Sequence, residues 1–168
     1  MIYIYNCYGG THSSVLASAY HLNMLDRNRP PTKEEILSIP LFNKLTYGNI
    51  GEFFYHGTDE DGNSIYTCGR GMEKHMIAAL YNLATMLEKE EKLKEKIAFS
   101  ITSPTVPLAM TLGGLISRWL KVDFIGVPLL IIGAKQSYKK IIKLVEKTKK
   151  ALKNSESQII ILDNTEFK

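Results

Sequence analysis

Cysteine is nearly absent from the sequence. Cys7 and Cys68 are the only two in 168 residues, too few for a disulfide framework. Long apolar runs are missing as well, and none reaches the roughly 18 residues that span a bilayer. The opening Met1-Ile-Tyr-Ile-Tyr has neither a basic stretch nor a small-residue cleavage site, so no export signal is visible. Internal repeats and low-complexity segments are lacking too. What is present is globular. Apolar residues make up 45% and charged residues 23%, which excludes wholesale disorder and fibrous repeats. A mass of 19.0 kDa fits one domain over residues 1–168. These features point to a cytoplasmic protein with reduced thiols and no membrane partner.

Read for periodicity, the chain alternates strands and helices. Residues 2–6, Ile-Tyr-Ile-Tyr-Asn, form a strand that runs into a Gly-rich turn and then a helix from His12 or Ser13 to Leu22. Thr32-Lys-Glu-Glu35 is a capping box, and a short helix follows it and stops before Pro40. Residues 41–52 read as a loop. Strands over 53–56 and 64–67 flank the turn Gly57-Thr-Asp-Glu-Asp-Gly-Asn63, which makes a hairpin. Helices are expected over 72–89, 103–120 and 136–153, and strands over 97–102, 127–132 and 158–162. Three of the strands are near-continuous apolar runs, as strands covered on both faces are. The expected architecture is α/β, with three layers, a mainly parallel Rossmann-like sheet and an inserted β-hairpin.

Open parallel sheets bind ligands beyond the carboxyl ends of their strands. That rule selects Cys7–Ser14, Cys68–Gly71, Thr102–Ser103, Gly133–Gln136 and Asp163–Asn164. The first segment carries the strongest signal. Gly9 and Gly10 allow a tight turn, the following amides gather at a helix N-terminus, and Thr11, Ser13 and Ser14 add hydroxyls, so the segment is suited to an anion. The plainer alternative is a capped strand-to-helix turn. The segment is not a Walker A loop, which needs a lysine where His12 stands, nor a dinucleotide fingerprint. A thiol at a helix N-terminus can fall from a pKa of about 8.5 into a range near 3.5–7.5, which makes Cys7 a candidate nucleophile and His12 its candidate acid/base. The turn of Gly69, Arg70 and Gly71 repeats the geometry and adds a guanidinium as anion clamp. Cys7, His12, Cys68 and His75 lack zinc-finger spacing, so no metal is assigned, and no cofactor can be named.

Seven lysines between Lys139 and Lys153 account for the net charge of +4. They read as a solvated helix face. A nucleic-acid surface would want arginine and aromatic content that is thin here. Gly113-Gly114, followed by Trp119, permits close helix approach, either in packing against the sheet or at a homodimer surface.

The spacing of Cys7-Tyr-Gly-Gly-Thr-His-Ser-Ser14 resembles two cysteine-based phosphate loops. In low-molecular-weight tyrosine phosphatases the cysteine is followed by five residues, an arginine and a serine or threonine; here serine replaces the arginine. The cysteine-phosphorylated B subunits of sugar phosphotransferase systems are similar and often lack that arginine. A broader resemblance rests on Tyr5–Val15, Pro31–Ile36, His56–Asn63 and Tyr66–Gly71 in this order. The series looks like a domain-of-unknown-function family of small proteins from spore-forming anaerobic bacteria, over roughly the first 90 residues. It implies that the Cys7 loop, the hairpin and the Arg70 turn form one unit. Together these readings lead to an expected binder of a phosphate-bearing or anionic small molecule, with cysteine-based phosphoryl chemistry as its enzymatic form. The alternative is a non-catalytic sensor acting through an oligomer interface.

Overall fold

A computed structural model describes residues 1–73 and 75–168. Five strands form one sheet in the order β2-β3-β1-β4-β5. They are β1 (Ile2–Cys7), β2 (Phe53–Thr58), β3 (Ser64–Gly69), β4 (Ile97–Ile101) and β5 (Ile159–Leu162). Strands β3, β1, β4 and β5 run parallel, while β2 is antiparallel to β3 at the edge. The hairpin turn is built by Asp59, whose Oδ1 accepts from the amides of Asp61 and Asn63 at 3.0 and 2.9 Å.

Strand β1 is central and buried on both faces, which explains its unbroken apolar run. Tyr3 and Tyr5 point into a core shared with α1 (Ser13–His21) and α5 (Asp123–Asn154). Ile4 points the other way, into a core with Cys68, Phe99 and Ile77 of α3 (Met76–Lys89). Helices therefore cover both faces of the sheet, making three layers. The capping box forms as expected: Thr32 Oγ1 accepts from the Glu35 amide and Glu35 Oε2 from the Thr32 amide, at 3.2 and 2.7 Å, opening α2 (Lys33–Ser38). The helix expected over 72–89 starts later, at Met76; Lys74, inside the expected span, lies outside the described residues.

The main departure is at 127–132. This segment is helical, part of the 32-residue α5, and the sheet has no strand there. A short apolar run cannot be told from a buried helix by periodicity alone, and here the signal lay in the glycines. A Cβ at Gly126 would lie 2.6 Å from Ser117, one at Gly133 2.6 Å from Met110 and one at Gly113 2.7 Å from the Leu130 amide. These glycines let the backbone of α5 touch α4 (Leu108–Gly114) and the π turn Leu115–Trp119 that continues it. The expected strand is thus one limb of a helical hairpin. Gly113 is spent inside that hairpin, and Gly114 lies against the His12 ring. Among the described residues no helix is long and apolar enough to cross a membrane.

Candidate functional site

The parallel pairing of β1 with β3 sets Cys7 opposite Gly69, so the two glycine turns lie side by side. Gly10 has φ +68° and packs backbone against backbone; a Cβ there would lie 2.6 Å from the Gly69 amide. The amides of Arg70 and Gly71 donate to the carbonyls of Cys7 and Tyr8 at 3.0 and 2.8 Å. The Cys7 loop and the Arg70 turn are therefore one unit, as the sequence suggested.

Cys7 is buried beside the start of α1. Its Sγ accepts from the Gly10 amide at 3.2 Å and lies 3.2 Å from Ser14 Oγ. The other hydroxyls of the loop have protein partners. Thr11 Oγ1 donates to the Leu41 carbonyl at 2.5 Å and accepts from the amides of Lys44 and Leu45. Ser13 Oγ pairs with Thr102 Oγ1 at 2.9 Å, and Thr102 Oγ1 donates to the Asn6 carbonyl. These bonds tie the 41–45 loop and the end of β4 to the start of α1. Cys68 is fully buried, and burial, with Cys7 nearby, pushes its thiol up to about 11, so it is protonated at neutral pH.

The His12 ring is held by the 41–45 loop. Its Nε2 lies 3.1 Å from Asn43 Oδ1, and its ring meets Phe42 edge-on at 5.6 Å. Burial pulls its pKa to about 4, the Asn43 hydrogen bond offsetting part of this and Arg118 adding to it. The ring is neutral at pH 7 and donates Nε2–H to Asn43. Asn43 Nδ2 in turn donates to Ser117 Oγ at 2.8 Å, and Ser117 to Asp123 Oδ1. Arg118 donates to the carbonyls of Asn43 and Leu45. This network joins the 41–45 loop to the helical hairpin. No local spacing in the sequence announces it.

The open space lies next door, over the end of β4. A cavity of about 540 Å³ is lined by Arg70, Ile101, the Ser103–Pro107 turn, Gln136, Lys140, Asp163 and Lys168. Four of the five segments chosen by the strand-end rule thus contribute to it. Gln136 does so from mid-helix rather than from the end of a strand. Among the described residues, Arg70 Nε and Ser103 Oγ are buried without a hydrogen-bond partner. An unpaired buried donor costs on the order of 1–3 kcal/mol; these two belong to residues of the cavity wall, while Asn6 Oδ1, Tyr20 OH and Arg27 Nε are unpaired away from it. The charged lining is Arg70, Lys140 and Lys168 against Asp163, a balance that favours a negative guest.

A second polar cluster was not legible from the sequence. Tyr5 OH lies 2.8 Å from His21 Nδ1, and His21 Nε2 lies 2.9 Å from Asp59 Oδ2. Burial brings His21 down to about 4, against the pull of the Asp59 hydrogen bond. Burial alone would raise Asp59, but hydrogen bonds from Asn63 and His21 outweigh it and carry the carboxyl down to about 2. A neutral imidazole thus donates a hydrogen bond to a carboxylate and accepts one from the Tyr5 hydroxyl. The chain pins the end of α1 to the hairpin turn, with Asn63 Nδ2 adding a 3.0 Å bond to Asp59. Among the described residues no group of three or more His, Cys, Asp or Glu is placed to hold a metal ion.

Comparison with known proteins gives a family and no activity. The model of a family described as a protein of unknown function, DUF3189, matches residues 2–150, and the chain belongs to that family. The match runs well past the first 90 residues and takes in the helical hairpin. No curated protein and no solved structure matches.

Proposed function

We propose, from the premise that membership in this family brings no activity with it, that the protein binds a phosphate-bearing or other anionic small molecule in the cavity over β4. The observation that carries this reading is that two residues lining the cavity, Arg70 and Ser103, each carry an unpartnered buried polar atom, Nε and Oγ. A phosphate or carboxylate oxygen would accept from both, and Arg70 offers the planar fork that suits such groups. Lys140 adds charge from α5. The Cys7–Ser14 loop then acts chiefly as a platform. Its carbonyls hold the Arg70 turn, while Thr11, Ser13 and Ser14 spend their hydroxyls inside the protein.

Phosphoryl chemistry at Cys7 is the second reading. It is favoured by the Gly10 amide and the Ser14 hydroxyl, both 3.2 Å from Sγ, which hold the sulfur at the start of α1, and by the likeness to cysteine-based phosphate loops. Both cysteines are free, in keeping with a reducing cytoplasm. A sensor that holds the anion without turning it over would use the same cavity contacts.

Calorimetric titration with inorganic phosphate tests the binding reading. Saturable binding is expected, weakened at least about tenfold (1.4 kcal/mol) in Arg70→Gln and changed less than about twofold in Cys7→Ser. Phosphate affinity equal in wild type and Arg70→Gln would refute it. Loss of phosphate-ester turnover in Cys7→Ser with binding intact would select the thiol chemistry over the sensor.

A further inference from the structure

The cavity over β4 is far larger than a phosphate ion. Its volume of about 540 Å³ falls within the roughly 300–1,000 Å³ of sites that take whole small molecules. Its lining comes from the ends of β3, β4 and β5 and from α5. With β1 between β3 and β4, the strand ends span three steps, about 14 Å along the sheet edge. The end away from Arg70 has its own chemistry. Asp163 follows β5 there, and its backbone is fixed by the next residue. Asn164 is fully buried with φ +57°, and its Nδ2 donates to Ser100 Oγ and the Ile101 carbonyl, both at 3.0 Å. Asparagine accepts that left-handed backbone more readily than most residues. Asp163 Oδ1 accepts from the Thr165 amide at 3.3 Å. Among the described residues its carboxylate forms no ion pair, although Arg70, Lys140 and Lys168 line the same cavity.

We infer that the guest is a phosphate ester of a hydroxyl-rich body, a sugar phosphate or the ribose phosphate of a nucleotide, and that Asp163 selects it by accepting hydrogen bonds from its hydroxyls; this rests on the anion site proposed for Arg70 and Ser103. A carboxylate in an anion cavity works against the anion, because like charges brought together are unfavourable. Only a guest that also carries donors repays that cost. The Asp163 carboxylate is an acceptor, while the Gln136 carboxamide, also in the lining, both donates and accepts. Hydroxyl groups do both as well, so the two side chains suit a polyol. Ile101, Val106 and Pro107 supply apolar wall for the carbon face of a sugar ring. A second phosphate fits that end less well, since it would face Asp163. An alkyl chain would leave the carboxylate without a donor.

Calorimetric titration of the full chain with inorganic phosphate, butyl phosphate and ribose 5-phosphate tests this. Ribose 5-phosphate is expected to bind at least about tenfold tighter than either of the others, as a site built for hydroxyls discriminates against guests that lack them. In Asp163→Ala that advantage should shrink to within about twofold, with inorganic phosphate bound as well as in wild type or better. Asp163 is exposed, so the variant should keep the wild-type circular dichroism spectrum. The comparison of the three ligands on the wild-type chain decides the matter even if it does not. Adenosine 5′-monophosphate separates the two sources of the ribose phosphate: binding tighter than ribose 5-phosphate supports a nucleotide, and weaker binding supports a free sugar phosphate. Butyl phosphate bound as tightly as ribose 5-phosphate, or an advantage that survives Asp163→Ala, would overturn the inference and leave the anion site standing. Failure of all three ligands to bind would overturn the anion site and the inference with it.

Discussion

At the residue scale, the glycines separate positions that need a missing side chain from positions that merely tolerate one. Gly10 combines φ +68° with backbone atoms of Gly69 2.6 to 2.9 Å from where a Cβ would sit. Alanine there meets both the left-handed penalty and a clash that no side-chain rotation relieves. Gly10→Ala should cost about 3 kcal/mol. Gly62, in the hairpin turn, has φ +78° but nothing within 4 Å of the same point, so Gly62→Ala should cost only about 1 kcal/mol. Urea denaturation of the two variants checks the difference. Equal losses would mean that the contact between the two strand-end turns does not matter to the fold. Some placements could be read without coordinates. The strand-end turn of Cys7 and its glycines, the Thr32–Glu35 box and the turn at Arg70 all carry their signal within a few neighbours. The partners of His12 and His21 could not be read, because Asn43 and Asp59 lie 31 and 38 residues away and no local pattern links them.

At the scale of elements, the same divide appears. Strand β1, its turn and α1, the hairpin and β4 follow from local period and turn chemistry, and the structure has them where the sequence put them. Residues 127–132 do not behave this way. Val-Pro-Leu-Leu-Ile-Ile has the composition of a buried strand, and only its placement between Gly126 and Gly133, which close on α4, makes it helix. The seam gives a direct prediction. Gly133→Ala gains about 1 kcal/mol of helix propensity but sets a methyl 2.6 Å from Met110 Cβ and 2.7 Å from its amide. Overpacking of that kind costs about 1–3 kcal/mol, so the net effect is a loss of up to about 2 kcal/mol. Gly114→Ala approaches only the His12 ring, at 3.2 Å, and should be close to neutral. Thermal melts of the pair test whether α4 and α5 touch through their backbones. Stabilisation of the Gly133 variant would mean that they do not.

For the whole molecule, three histidines set the response to acid. His12, His21 and His56 are each held near 4 by burial, against an ordinary 6.5. A lowered folded pKa means that the unfolded chain binds protons first as pH falls below about 6.5. Stability is therefore full above that value and declines through the window down to about 4. Each group contributes at most about 1.4 kcal/mol per pH unit. Asp59, lowered to about 2 from 3.8, adds a further loss below pH 4. Denaturant midpoints should fall steeply between pH 6.5 and 5, and His21→Gln should flatten the curve. A midpoint constant over that range would contradict the buried, neutral histidines. At this scale the sequence conveyed the three-layer plan and the ring of strand-end segments. It did not convey which gap between them stays open, since that depends on hydroxyls and amides finding partners across the fold.

The central claim, a negative guest held by Arg70 over the end of β4, is tested most directly by a crystal grown or soaked with tungstate and examined for anomalous scattering. An ordered anion within hydrogen-bond distance of the Arg70 guanidinium and Ser103 Oγ, absent in Arg70→Gln crystals, is the predicted result. A tungstate bound only at the Cys7 loop, or a cavity that stays free of anion at saturating concentration, would contradict it.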